Sequence, residues 1–139
     1  MCSSDLVRFS PLTTLQGAVD DTPQSTYLAA ARMLDDIGIA YLHIAEADWD
    51  DAPDMPAAFR EALRLVFSGA MIYTGRYDRE RAEAALADGW ADLIGFGRPF
   101  IANPDLPRRL SSGAACNPGN AATYFGGGAQ GYIDYPALR

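Results

Sequence analysis

Two short stretches pair glycine with arginine just where an apolar run gives out. Tyr73-Thr74-Gly75-Arg76 closes one run, and Gly95-Phe96-Gly97-Arg98 closes another. Glycine lets a phosphate approach backbone N–H groups, and the start of a following helix adds positive potential. Arginine presents a planar fork of donors to phosphate oxygens. On neighbouring parallel strands, two such loops would converge on one anion. Gly-Arg pairs at strand ends are also common. Neither loop completes G-x-G-x-x-G, since position 100 is Phe, and neither makes a P-loop.

Other residues invite chemistry singly. Arg8 lies inside Leu6-Val7-Arg8-Phe9, where an unpaired buried charge would be costly. It either faces outward near a strand end or points into a site to hold an anion or an electron-rich ring edge. Asp48, Asp50 and Asp51 around Trp49 could suggest a metal, but acids clustered in a loop are usually solvated. His43, the only histidine, sits in an apolar run and reads as a packed strand residue. Cys2 and Cys116 lie far apart and make no metal-ligand pattern. No metal site is expected. Tyr124 and Phe125 fall in a glycine-rich tail, where an aromatic serves as a lid or anchors the loop.

The elements that must position these residues alternate between two periods. Strand patterns run from Leu6 toward Pro11, over Ile39–Ala45, over Gly69–Thr74 and over Ala91–Phe96. Helical spacing runs from Ser25 to Ile37, with Gly38 as the residue that ends it. Asp54 is placed to cap a second helix bearing Phe59, Ala62, Leu63, Val66 and Phe67. Asp78 opens a third, with Ala82, Ala85 and Leu86 inward. Asn103-Pro104 marks the start of a short fourth helix with Leu106 and Leu110 on its inner side. The order is β-α-β-α-β-α-β-α followed by a loop-like tail. It suits an open doubly wound sheet or part of a (β/α)8 barrel, and periodicity does not choose between them.

Composition narrows the partners. Eleven basic and eighteen acidic side chains leave a net charge of −7 over 139 residues. Such a surface repels nucleic acid. No apolar run approaches the roughly 18 residues of a membrane span. The first residues, Met1-Cys2-Ser3-Ser4-Asp5-Leu6, lack the basic and apolar regions of a signal peptide. A reduced, cytoplasmic setting fits.

Longer motifs then carry a resemblance. Val7-Arg8-Phe9-Ser10-Pro11, Ala40-Tyr41-Leu42-His43-Ile44-Ala45-Glu46, the stretch from Gly95 to Leu106 (GFGRPFIANPDL) and the tail from Tyr124 to Pro136 (YFGGGAQGYIDYP) resemble the Old Yellow Enzyme family of FMN-dependent ene-reductases. The likeness is strongest to its N-ethylmaleimide reductase branch. It implies the C-terminal half of a TIM (β/α)8 barrel over residues 7–139, behind an unmatched leader of residues 1–6. It implies FMN as cofactor, NAD(P)H as reductant and a small activated alkene, such as an enone, maleimide or nitro compound, as acceptor. Arg8 matches the arginine at the flavin N1/O2 edge, where positive charge stabilises reduced flavin. Gly75, Arg76, Gly95, Gly97 and Arg98 match the phosphate loops. Phe125 and, more weakly, Trp49 match residues lining the substrate pocket. The family's usual Phe-Tyr order reads Tyr124-Phe125 here. The acceptor-binding pair, the proton-donating tyrosine and the other half of the barrel belong before this segment, so no catalytic residue is expected within it. A fragment of another phosphate-binding α/β barrel, or a non-catalytic half-barrel that pairs with another chain, are the competing readings.

Overall fold

Leu6–Phe9, Tyr41–Ala45, Ala70–Thr74 and Leu93–Gly95 form strands β1 to β4 in the computed structural model, which describes residues 5–47, 52–126 and 128–139. They make one parallel sheet in the order β1-β2-β3-β4. Helices α1 (Pro23–Ile37), α2 (Ala57–Val66) and α3 (Arg79–Ala87) connect successive strands. Parallel neighbours need such crossovers, because a tight turn cannot return the chain to the same end of the sheet.

Register sorts the strand side chains into two unlike faces. Phe9, Ile44, Tyr73 and Ile94 align across one face, beside Val7, Leu42 and Met71. Leu42, Ile44, Met71 and Tyr73 are fully buried there, with Ala31 of α1, Phe59 and Leu63 of α2 and Ala85 of α3. Tyr27 of α1 meets Phe9 edge-on, ring centroids 5.0 Å apart. Each large aliphatic buried in this core contributes about 1.5–3 kcal/mol. The opposite face carries Arg8, His43, Ile72 and Leu93 in one row. It is open: Leu6 and Leu93 are 47% and 53% exposed, Arg8 is exposed, and His43 and Ile72 are half-buried.

Helix ends agree with local chemistry in part. Gly38 takes φ 76° and donates its N–H to the Leu34 and Asp35 carbonyls, as a helix-ending glycine should. The Asp78 carboxylate accepts the Arg81 N–H at 2.8 Å. Asp54, in contrast, caps nothing: α2 begins at Ala57 behind Pro56. The Pro56 ring disfavours helical backbone at Met55, and Pro56 itself is extended at φ −61° and ψ 142°. Leu86 is 44% exposed rather than inward, because α3 presents the smaller Ala82 and Ala85 to the core.

A second compact unit, Phe96–Arg139, holds α4 (Arg98–Ala102), α5 (Leu106–Ser112) and a 3-10 turn at Ala121–Thr123. The expected helix start at Asn103-Pro104 is displaced: Asp105 stands at the cap position and Pro107 in the first turn. Asn103 ends α4 instead and is fully buried. Its amide is committed elsewhere, donating to the Pro99 carbonyl at 2.8 Å and accepting from the Asn117 N–H at 2.7 Å. Inside α5, Leu106 is buried but Leu110 only half so, and Arg109 takes the inner place with 5% exposure. Its guanidinium donates to the Asp105 carboxylate at 2.8 Å and to the Ala115 and Pro136 carbonyls at 2.5 and 2.9 Å. The second Asp105 oxygen accepts the Leu138 N–H at 2.7 Å, and these two bonds hold the Asp105 carboxyl below its usual value of 3.8. Among the described residues, no helix is long and apolar enough to cross a membrane.

Candidate functional site

Because the sheet is parallel, all four strands end on the same side of it, and in sequence Gly75, Arg76 and Gly95 come at or directly after strand ends. β3 ends at Thr74, immediately before Gly75 and Arg76. Its register partner at the end of β4 is Gly95. A side chain on Gly95 would run into the Thr74 methyl group, far inside contact distance. The sheet itself therefore requires glycine at 95. Gly97 differs: a Cβ there would meet nothing within 4 Å, so internal packing gives no reason for a glycine. Gly97 precedes Arg98, the exposed first residue of α4. Arg76 is exposed, and its carbonyl accepts from the Arg81 guanidinium at 3.2 Å. Gly75 and Arg76 belong to the first compact unit, Gly97 and Arg98 to the second.

Arg8 stands on the open face of the sheet, one residue before the end of β1. Its cross-strand neighbour is His43. Among the described residues, no carboxylate forms an ion pair with Arg8. The His43 Nε2 lies 2.8 Å from the Thr74 hydroxyl, which reaches the Ile44 carbonyl at 3.4 Å. The imidazole and the hydroxyl share that hydrogen bond, and the ring tautomer sets which of them donates. Partial burial, then the charge of Arg8, hold the His43 pKa below its usual 6.5. The sheet thus presents one cation beside one neutral imidazole.

A buried charge cluster sits behind the same strand ends. Glu46 follows β2 directly, and its carboxylate is 1% exposed. It receives Arg60 of α2 at 2.7 Å and Arg81 of α3. Arg60 stacks over Trp90 at 4.8 Å, and Arg81 over Tyr77 at 4.3 Å. Burial first, and then the Glu46 charge, push the Tyr73 and Tyr77 phenols up from 10.0, so both stay protonated. The Tyr73 hydroxyl has no hydrogen-bond partner among the described residues. Sequence reasoning assigned Glu46 no role. The available signal was an arginine beside each helix's buried stripe, next to Phe59 on α2 and Ala82 on α3.

The remaining candidates are scattered. Phe125 follows the 3-10 turn and is 97% exposed. Trp49 and its acidic neighbours Asp48, Asp50 and Asp51 lie outside the described residues. Among the described residues, no group of three metal-ligating side chains assembles.

Known proteins resemble this chain over most of its length. The profile of the NADH:flavin oxidoreductase / NADH oxidase family matches residues 4–117. The 12-oxophytodienoate reductase 2 of Arabidopsis thaliana is 33% identical over 136 residues, 96% of this chain and 36% of its own length. The chanoclavine-I aldehyde reductase of Penicillium roqueforti is 38% identical over 138 residues, covering 93% of this chain and 37% of itself. Among solved structures, morphinone reductase superposes with a TM-score of 0.90 at 47% identity, over 96% of this chain and 36% of that one. The old yellow enzyme from Trypanosoma cruzi gives 0.88 at 31% identity, over 96% and 35%. The chain spans 35–44% of the length of the first curated relatives it matches.

Proposed function

Since the chain belongs to the NADH:flavin oxidoreductase / NADH oxidase family, that of the old yellow enzymes, we propose that it supplies the phosphate-binding half of an FMN-dependent, NAD(P)H-consuming alkene reductase. The observation that carries this reading is Arg8, an exposed cation with no carboxylate partner among the described residues, on the open sheet face near the strand ends. A charge so placed suits the electron-rich edge of a flavin.

The residues fit FMN. Arg98 and Arg76 offer guanidinium donors to its phosphate. Gly97, with nothing opposite a would-be Cβ, leaves room for an oxygen to reach the backbone. Gly75 and Gly95 complete the two loops. Arg8 would hold positive charge at the N1/O2 edge, and a neutral His43 would add none beside it. Phe125 and Trp49 are the residues assigned to the acceptor by family resemblance. When bound, FMN supplies hydride carriage from nicotinamide to the β-carbon of an activated alkene. The acceptor pair and the proton donor come from the other half of the barrel. Enones, maleimides and nitro compounds are the acceptor class. The relatives named for 12-oxophytodienoate and morphinone support a carbonyl-activated acceptor. A cytoplasmic location accords with this chemistry.

The test is co-expression with the preceding half of the barrel. The purified complex should be yellow, retain FMN through gel filtration and oxidise NADH or NADPH when an enone is added. A well-folded, colourless complex that takes up no added FMN would overturn the reading.

A further inference from the structure

In the second unit, residues 117–126 and 128–136 form two limbs of an arch, and polar contacts tie them together. At the feet, the Asn117 amide donates to the Pro136 carbonyl at 2.8 Å, and the Arg109 guanidinium bridges Ala115 and Pro136. One step higher, the Asn120 N–H donates to the Tyr135 hydroxyl at 3.0 Å. Higher still, Gly131 lies so close to the Thr123 side chain that any Cβ would collide with it, and Gly131 has φ 78° as well. The stem is therefore tied by hydrogen bonds at two levels, with the close approach of Gly131 to Thr123 above them.

Within the ascending limb, Gly119 faces the Tyr124 ring. A Cβ on Gly119 would fall inside the Tyr124 hydroxyl and stand 3.0 Å from the carbon that bears it. Tyr124 is half-buried against this gap, whereas Phe125, the next residue, is 97% exposed. Gly119 does not have a positive φ, so backbone conformation gives no reason for glycine. What glycine provides there is room for the phenol.

We infer that Gly119 is a positioning residue: by seating the Tyr124 phenol against the stem, it aims the bare Phe125 ring away from the stem and toward the acceptor. The hydroxyl is thus withdrawn from the pocket wall, and the wall becomes apolar. Acceptors with bulky apolar substituents are favoured over those needing a phenol partner. Phe125's place at the acceptor is taken from the reading above, and the test separates the two claims.

The test uses the reconstituted barrel with fluorophenylalanine at position 125, followed by fluorine NMR, and unlabelled protein for kinetics. Gly119→Ala should move the fluorine resonance. It should raise KM for a bulky enone several-fold relative to a small one, with kcat and FMN affinity little changed. Adding Tyr124→Phe removes the colliding hydroxyl, leaving ring carbons 3.0 and 3.1 Å from the new methyl, and should restore most of both effects. An unmoved resonance in Gly119→Ala overturns the positioning role. So does a shift that Tyr124→Phe fails to rescue, since that is general disorder of the arch. A rescued shift with an unchanged acceptor profile upholds the seat of Tyr124 and overturns Phe125 as a pocket residue.

Discussion

Arg8 and His43 are cross-strand neighbours on an otherwise apolar sheet row. Replacing Arg8 with Leu in the reconstituted enzyme should slow flavin reduction and lower the flavin potential while leaving the denaturation midpoint nearly unchanged. Stopped-flow reduction and a dye-linked potential titration decide it; a normal rate and potential would remove the assigned role. Arg98→Ala should weaken FMN by about 1.5–3 kcal/mol, the scale of a hydrogen bond to a charged group, as read by fluorescence titration. His43 carries a proton less readily in the fold than in the unfolded chain. As pH falls below about 6.5, the unfolded state gains a proton that the folded state does not. Stability therefore drops as pH falls from 6.5 through the lowered folded value, then levels off. Urea titrations across that window should show this slope in the reconstituted wild-type barrel and lose it in His43→Gln.

Elements fix positions that no single residue announces. Gly95 reads from sequence as part of a phosphate loop, yet its closest constraint is the Thr74 methyl on the adjacent strand. Gly95→Ala should destabilise by about 1–3 kcal/mol, as overpacking does. Thr74→Ser removes the obstructing methyl, keeps the hydroxyl bonded to His43, and should recover most of that loss in the double variant. Truncating Glu46 to Ala leaves Arg60 and Arg81 facing a buried gap. It should cost about 3 kcal/mol, the lower end for a broken buried pair because both arginines keep some water contact. The strands and the three long helices were legible because apolar spacing repeats over enough residues. The Asp78 cap and the Gly38 stop were legible because each acts within its own turn. The α2 start was misjudged where Pro56 overrides an acidic cap two residues upstream. α4 was missed because five residues carry too little periodicity. The Glu46 cluster was invisible because its partners lie 14 and 35 residues away, a distance only the sheet closes. Arg8, in contrast, was legible as a charge within an apolar strand, and it is exposed near the strand end, as the outward-facing reading has it.

At the scale of the molecule, the sheet has one well-packed face and one open face, and among the described residues β1 and β4 are its edge strands. Leu6, Ile72 and Leu93 leave apolar surface on the open face, and such surface drives association. These 139 residues alone should elute from size exclusion as assemblies, bind FMN weakly and oxidise no NAD(P)H in the presence of an enone. A stable monomer with tight FMN and repeated turnover would refute this. The net charge of −7 slows but does not prevent such contacts, and it predicts no retention on immobilised DNA. The covered face behaves differently. α2 and α3 are separate in sequence, yet a single buried carboxylate directly after β2 holds an arginine from each. Neither helix can lift away without stranding the other's partner beside an unshared charge. Amide hydrogens of the two helices should therefore exchange with solvent through one cooperative opening. Their protection should fall together when Glu46 is changed to Gln, so this half of the sheet breathes as a single leaf rather than as two hinged flaps.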